Sequence, residues 1–391
     1  MLRQITVHQR RARLAGRHRL APSARADTPV EAADSLLALH ATDPATVYLA
    51  VAARMTRPAV ATVERALYDE RTLLRMLGMR RTMFVVAADV APLVQAGCAL
   101  DIEKKQRRLL LQHLEQTGIP DLAEWLRDVE EGTLRALRAR GFAGAQQLAA
   151  DEPRLRTEIV MAEGKPYESR GYITNRVLFL LAVAGRIMRG RPRGTWLSTQ
   201  YDWCAIEDWL AGGLPTQDPG AARVELARRW LRAYGPAQVS DLRWWMGWTA
   251  TQTKQALAAL EVVEVDMDGI PGLLPADDTE PVPEPEPWVA LLPALDPTAM
   301  GWAERTWFVG EHRAALFDRT GNIGPTVWSD GRIVGGWGQR SGGDVAVRLL
   351  EDVGAEKAAA IEAEAARLTA WLDGVTVVPR FRTPVEKELS S

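Results

Sequence analysis

Apolar residues recur at helical spacing along much of this chain, in runs that are short and sharply ended. Val224–Ala233, Val239–Met246 and Thr249–Leu260 predict three successive helices. Tyr234-Gly235-Pro236 breaks the first, Ser240-Asp241 introduces the second, and Thr249 or Thr251 caps the third. Val262–Asp266 then reads as a strand, turned at Asp268-Gly269. Three helices and a ribbon in about 50 residues is the layout of a winged helix-turn-helix.

The same order recurs upstream. Val30–His40, Pro44–Arg54, Pro58–Asp69 and Leu73–Met76 predict helices, followed by a strand at Arg81–Val86. A looser version runs through Leu122–Arg140, Ala143–Ala150 and Asn175–Arg189 to a turn at Gly190-Arg191-Pro192-Arg193-Gly194. A helix at Ala99–Gln116 and a connector at Trp203–Gly212 join these units. Asp277–Pro287, rich in Pro and Glu, reads as an exposed linker or wing tip. Beyond it come strands at Val289–Leu292, Thr326–Ser329, Arg332–Trp337 and Val345–Leu349, a helix at Ala355–Leu372, and a last strand at Val375–Val378. Asp330-Gly331 is a type I′ hairpin signal. The expected class is mainly α with short antiparallel β, in tandem winged helix-turn-helix units. The expected boundaries are 1–90 (with a basic N-terminal arm), 91–212, 213–276 and a β-rich 277–391.

Composition narrows the function. A chain of 391 residues is too long for one ordinary domain. The net charge of −2 gives no global polyanion signature, but the distribution is uneven. Residues 1–30 hold seven Arg against Asp27, whereas residues 261–287 hold nine acids and no Lys or Arg. The arm is either a solvated, partly ordered segment or a DNA-backbone contact. Two cysteines, Cys98 and Cys204, and five scattered histidines give neither a disulfide framework nor metal-ligand spacing, so no metal is expected. The longest apolar run, Val177–Val183, is too short to span a bilayer, and the N-terminus has no apolar signal region. A soluble cytoplasmic protein is expected, with no membrane partner. Of fourteen Trp, the trio Trp244, Trp245 and Trp248 reads as packing; Trp337 stands apart, at the end of a hairpin with Gln339 and Arg340 beyond.

The densest chemistry lies in Leu39-His40-Ala41-Thr42-Asp43-Pro44-Ala45-Thr46. Ala33, Leu36, Leu37 and His40 share one face of the expected helix, and Asp43-Pro44 starts the next. His40, Thr42 and Asp43 therefore meet at a helix junction, where they either hold a water and a substrate or merely cap helices.

These residues carry a likeness. Leu37-Ala38-Leu39-His40-Ala41-Thr42-Asp43-Pro44 resembles the signature of the AlkZ/YcaQ-like winged-helix DNA glycosylases. Leu74-Arg75 with Met79–Val86, Leu291–Asp296, and Ser329–Trp337 are similar to further blocks of that family, in the same order over about residues 10–380. The resemblance implies three winged helices in a C-shaped clamp around duplex DNA, removal of bulky N7-alkylated guanines, unhooking of interstrand crosslinks by some members, and no metal or cofactor. In well-known members a Gln-x-Gln or Gln-x-Asp triplet precedes the same Asp-Pro; this chain departs at both positions, with His40 and Thr42.

Those residue types suit the reaction. N7-alkylation already makes guanine a good leaving group, so the enzyme need only position water on the anomeric carbon and stabilise an oxocarbenium-like sugar. Neutral His40 accepts a proton, Thr42 orients the water, and Asp43 orients His40, steadies the cation or caps the helix. The expected DNA grip is Arg80 and Arg81, the basic turn with Arg186, Arg189, Arg191 and Arg193, and Trp337, Gln339 and Arg340 at the C-terminal hairpin. The expected partner is double-stranded DNA carrying alkylated guanine, met by a monomer, with self-resistance to a genotoxic natural product as the role. The alternative is a non-catalytic winged-helix DNA-binding protein or transcription regulator.

Overall fold

The computed structural model describes residues 2–161, 164–166 and 168–391. Helices dominate, with short antiparallel sheets between them. Near the N-terminus, the helix Pro29–Asp34 is followed by a three-stranded sheet in the order Leu39–His40, Met83–Ala87, Leu73–Leu77. The helix Pro44–Ala52 is buried on every side. Leu122–Arg140, Ala145–Asp151 and Thr174–Val183 enclose a second core with the strands Ile187–Pro192 and Tyr201–Ala205. The helices Pro219–Tyr234, Val239–Met246 and Ala250–Ala258 precede the hairpin Val262–Met267/Ile270–Pro275. The C-terminal sheet runs Val289–Leu292, Thr326–Ser329, Arg332–Gln339, Val345–Leu349, and the helix Ala355–Leu372 packs on it. One large core runs from Leu14 to Val377 and joins the N-terminal helices to this sheet.

Several expected elements change type. The helix expected over Val30–His40 stops at Asp34, because Leu37 adopts a left-handed φ of 62° and the chain then enters the edge strand. Leu73–Met76, expected as helix, is a strand paired with Met83–Ala87. These segments are apolar on both faces, so their periodicity does not separate helix from strand. The helix expected through Arg189 ends at Val183; Gly185 turns left-handed and Gly190–Pro192 continue a strand rather than a turn. Val375–Val378 joins no sheet. The Gln339 side chain takes the neighbouring strand's place, donating to the Val375 carbonyl at 2.9 Å and accepting from the Val377 N–H at 2.8 Å.

The basic arm is ordered rather than a free solvated segment. It forms the helix Val7–Arg17 and meets the acidic segment: Arg13 and Arg17 bond Asp278, Arg3 bonds Glu280 and His8 bonds Glu284. The uneven charge of the sequence is thus partly cancelled within the molecule.

Candidate functional site

The candidate segment is held from three sides. Its strand pairs His40 with Phe84, and the Ala41 N–H continues the ladder to the Met83 carbonyl at 2.8 Å. Asp43 caps the helix Pro44–Ala52 through Oδ1, which accepts the Ala45 N–H at 3.1 Å. Its Oδ2 accepts the Arg380 N–H at 3.0 Å, so a segment from the far end of the chain is strapped to this turn. Both Asp43 oxygens are engaged by backbone donors.

His40 is 8 % exposed and packs edge-on against Phe84, with ring centres 5.5 Å apart. Burial, reinforced by the nearby Arg80 cation, pushes its pKa down to about 3. The imidazole is therefore neutral across the physiological range. Its Nδ1 is enclosed without a hydrogen-bond partner, at a cost of about 1–3 kcal/mol for a buried polar atom. Arg80 reaches this spot on a strained turn: Arg80 and Arg81 take consecutive positive φ values of 55° and 61°. Such conformations persist in non-glycine residues only where the surroundings impose them.

Around Thr42, apart from the Asp43 carboxylate held by backbone N–H groups, the charged side chains that gather are arginines. Arg75 donates to the Ala41 carbonyl at 2.7 Å, and Arg380 Nη1 faces the Thr42 carbonyl at 3.5 Å. Arg189 lies over the Tyr201 ring, 4.0 Å from its centre. Its pKa falls to about 10, mainly through burial, with repulsion from Arg75 and Arg380 adding to it. The Nε atoms of Arg75, Arg80 and Arg189 are all buried and unpartnered. Among the described residues none of Arg75, Arg80, Arg189 and Arg380 forms a salt bridge, although most arginines elsewhere on the molecule have a carboxylate partner. Such a cluster is suited to a phosphate-bearing ligand.

The other expected contacts divide. Arg81 is exposed beside Phe179, 5.4 Å from the ring centre, and Arg340 is exposed past the last sheet turn. Arg191 is tied to Asp69 at 2.9 Å and Glu64 at 3.3 Å, and Arg193 to Asp202; a phosphate must compete with these carboxylates. Trp337 and Gln339 are corrected outright. Trp337 is 3 % exposed and donates to the Leu292 carbonyl at 2.8 Å. Gln339, with its bonds to Val375 and Val377, also donates to the Gly343 carbonyl at 2.8 Å. Both lie within the strand Arg332–Gln339, facing protein rather than a groove. Arg75 and Arg380 escaped notice as site residues because their approach to Thr42 is non-local. The positive φ of Arg80 has no signal in the sequence.

Among the described residues no group of three His, Cys, Asp or Glu is placed to hold a metal, and no helix is long and apolar enough to cross a membrane.

Comparison with known proteins gives a consistent setting for this geometry. The family described as DNA glycosylase AlkZ-like matches residues 33–371. The chain is 29% identical over 213 residues to an interstrand DNA cross-link repair glycosylase from Streptomyces sahachiroi, a stretch covering 52% of this chain and 56% of that protein. The solved structure of the Streptomyces sahachiroi DNA glycosylase AlkZ superposes with a TM-score of 0.72 over 95% of this chain and 98% of that one, at 20% identity.

Proposed function

The chain belongs to the DNA glycosylase AlkZ-like family, and from that premise we propose that it hydrolyses the N-glycosidic bond of bulky N7-alkylguanine adducts or crosslinks in duplex DNA. The observation that carries this reading is the neutral His40 ring, two positions from Thr42 and beside arginines without carboxylate partners. In the proposed step a water held by His40 and Thr42 attacks the anomeric carbon as the C–N bond breaks. The bonding pair leaves with guanine and cancels the charge that alkylation placed there. The water's excess proton passes through His40 to solvent. So weakly basic an imidazole does not generate free hydroxide; it orients the water and accepts the proton once bond formation has made it acidic. Asp43 acts through position, by fixing the turn that presents both side chains.

The helix-and-hairpin units are read as winged helices forming a C-shaped clamp on the duplex. Arg75, Arg189 and Arg380 take backbone phosphate beside the lesion, with Arg81 and Arg340 adding outer contacts. The nucleophile is water, so the enzyme is monofunctional and leaves an intact abasic site. It works as a cytoplasmic monomer on the nucleoid, in protection against a DNA-alkylating natural product. The test is incubation of the full chain with duplex DNA carrying N7-alkylguanines of increasing bulk. Released base and an alkali-labile abasic site are expected, and no release from any of several bulky adducts would overturn the reading.

A further inference from the structure

Arg80 also begins a stack that the proposed reaction does not use. Its guanidinium carbon lies 4.1 Å from the centre of the Trp244 ring, and that of Arg305 lies 5.0 Å from the same centre. Arg305 is in turn 5.5 Å from the Phe317 ring, and Arg313 is 4.6 Å from that ring. Three guanidiniums thus alternate with two aromatic rings, from the half-buried Arg80 turn beside His40 to the exposed Arg313. Gly247 makes the close approach possible: it ends the helix Val239–Met246 with a φ of 73°, and a Cβ there would lie 3.1 Å from Arg80 Cγ.

Among the described residues no carboxylate forms a salt bridge with the stack, although Asp241 and Glu304 partly offset the charge on Arg305. Burial holds Arg80 and Arg305 down to about 10, and repulsion from Arg80 and Arg313 is the next largest influence on Arg305. The nearest carboxylates are engaged elsewhere. Asp241 accepts the N–H groups of Gln238, Ala303 and Glu304, and Glu304 accepts the N–H and hydroxyl of Thr306. Arg305 spends its Nε on the Trp302 carbonyl at 2.7 Å. Holding like charges together in a desolvated stack is unfavourable without an anion to complete it. The row runs from half-buried Arg80 through buried Arg305, 7 % exposed, to exposed Arg313, so its charge is spread along a line and matches a linear polyanion better than a single small ion.

We propose that Arg80, Arg305 and Arg313 form a basic track for the backbone phosphates of one DNA strand as it leaves the His40 site, with Arg80 and Arg313 meeting phosphates and the buried Arg305 adding its charge between them. This rests on the reading of the chain as a protein that acts on duplex DNA. It adds Arg305 and Arg313 to the interface and gives Trp244 and Phe317 the task of spacing the guanidiniums.

The test is binding of an undamaged, fluorescently labelled duplex to the full chain at several salt concentrations. Arg313→Gln is expected to weaken binding severalfold and to lower the slope of log affinity against log salt by about one; Arg305→Gln, at a buried guanidinium, is expected to lower both by less. Without DNA, Arg305→Gln is expected to melt close to wild type, because relief of the like-charge repulsion offsets the lost bond to the Trp302 carbonyl. A reduced melting temperature with an unchanged slope would make the stack structural and overturn the track. Arg313 is exposed, so its variant keeps the test open if Arg305→Gln fails to fold; an unchanged slope there also overturns it. A wild type that binds no duplex at any salt overturns the proposed function too. A wild type that binds and releases damaged base, beside variants of unchanged slope, overturns the track alone.

Discussion

Two buried histidines make a controlled comparison. His18 and His40 each sit in an apolar pocket beside an arginine, and burial pushes the pKa of each down to about 3. They differ in what their neighbourhood leaves unused. His18 pairs Nδ1 with Thr298 Oγ1 at 2.8 Å and Nε2 with the Ala233 carbonyl at 3.0 Å. Its arginine, Arg54, is fully enclosed and bidentate with Asp296 at 2.7 and 2.8 Å, with a further bond to Thr298. His40 has an orphaned Nδ1, and its Arg80 has no carboxylate; the Nε of Arg54 and of Arg80 is unpartnered alike. Burial and protonation state are the same, so neither marks a site. What separates the two histidines is an imidazole left with an unpartnered nitrogen beside an arginine that has no carboxylate, an arrangement whose cost a ligand or substrate relieves. The family-like block Leu291–Asp296 falls on the satisfied side: Asp296 locks Arg54, and the Ala294 carbonyl accepts the Thr46 hydroxyl at 2.9 Å.

Exchanging the two losses gives the largest expected effect. His40→Ala is expected to lower base release by about 10²–10⁴-fold, the range of a positioned acid–base group, with a small change in melting temperature. His18→Ala is expected to do the reverse. It leaves a cavity and strands the Thr298 hydroxyl and Ala233 carbonyl, at a cost of about 2–4 kcal/mol, while the folded fraction keeps its rate. Single-turnover release and thermal melts on both variants decide the matter. A His40→Ala enzyme as fast as wild type removes His40 from the chemistry.

The same contrast shows how far the sequence could be read. Helices such as Leu122–Arg140, Val239–Met246 and Ala355–Leu372 are found at their expected bounds, because one apolar stripe and a definite stop specify each. The segments around Leu36–Leu39 and Leu73–Leu77 carry no stripe, and tertiary pairing decides them. His40, Thr42 and Asp43 are neighbours in sequence and could be singled out together. Arg75 and Arg380 join them only through folding, and one arginine in sequence looks like another. The burial of Trp337 and Gln339 has a related cause: a hairpin signal gives a turn, and says nothing about which strand residues are spent on the core.

Acid should then act on stability before it acts on chemistry. An unfolded histidine takes a proton near pH 6.5, whereas folded His18 and His40 stay neutral until about pH 3. Below pH 6.5 the unfolded chain binds more protons, so stability falls with falling pH and is fully present above it. At pH 5 each histidine accounts for a loss of about 2 kcal/mol. His40→Gln is expected to remove one such share from the curve of stability against pH. Base release by molecules that remain folded should stay flat from pH 8 to 5. A fall with an apparent pKa near 6.5 would mean that His40 is solvated in the working enzyme.

The smallest expected effect separates positioning from chemistry at Asp43. Asp43→Asn keeps one acceptor for the Ala45 N–H but presents an amide to the Arg380 N–H, so it retains the cap and loses the strap. A loss of about 1 kcal/mol is expected, with a modest fall in rate as the His40–Thr42 turn loosens. Asp43→Ala gives up the cap as well and costs about another 1 kcal/mol. If the carboxylate acts only through position, both rates follow the melting temperatures, and Asn is the milder change. If its charge steadies the sugar cation directly, Asn falls as far as His40→Ala while melting close to wild type. That outcome would move Asp43 from the satisfied side of the comparison to the side that does the chemistry.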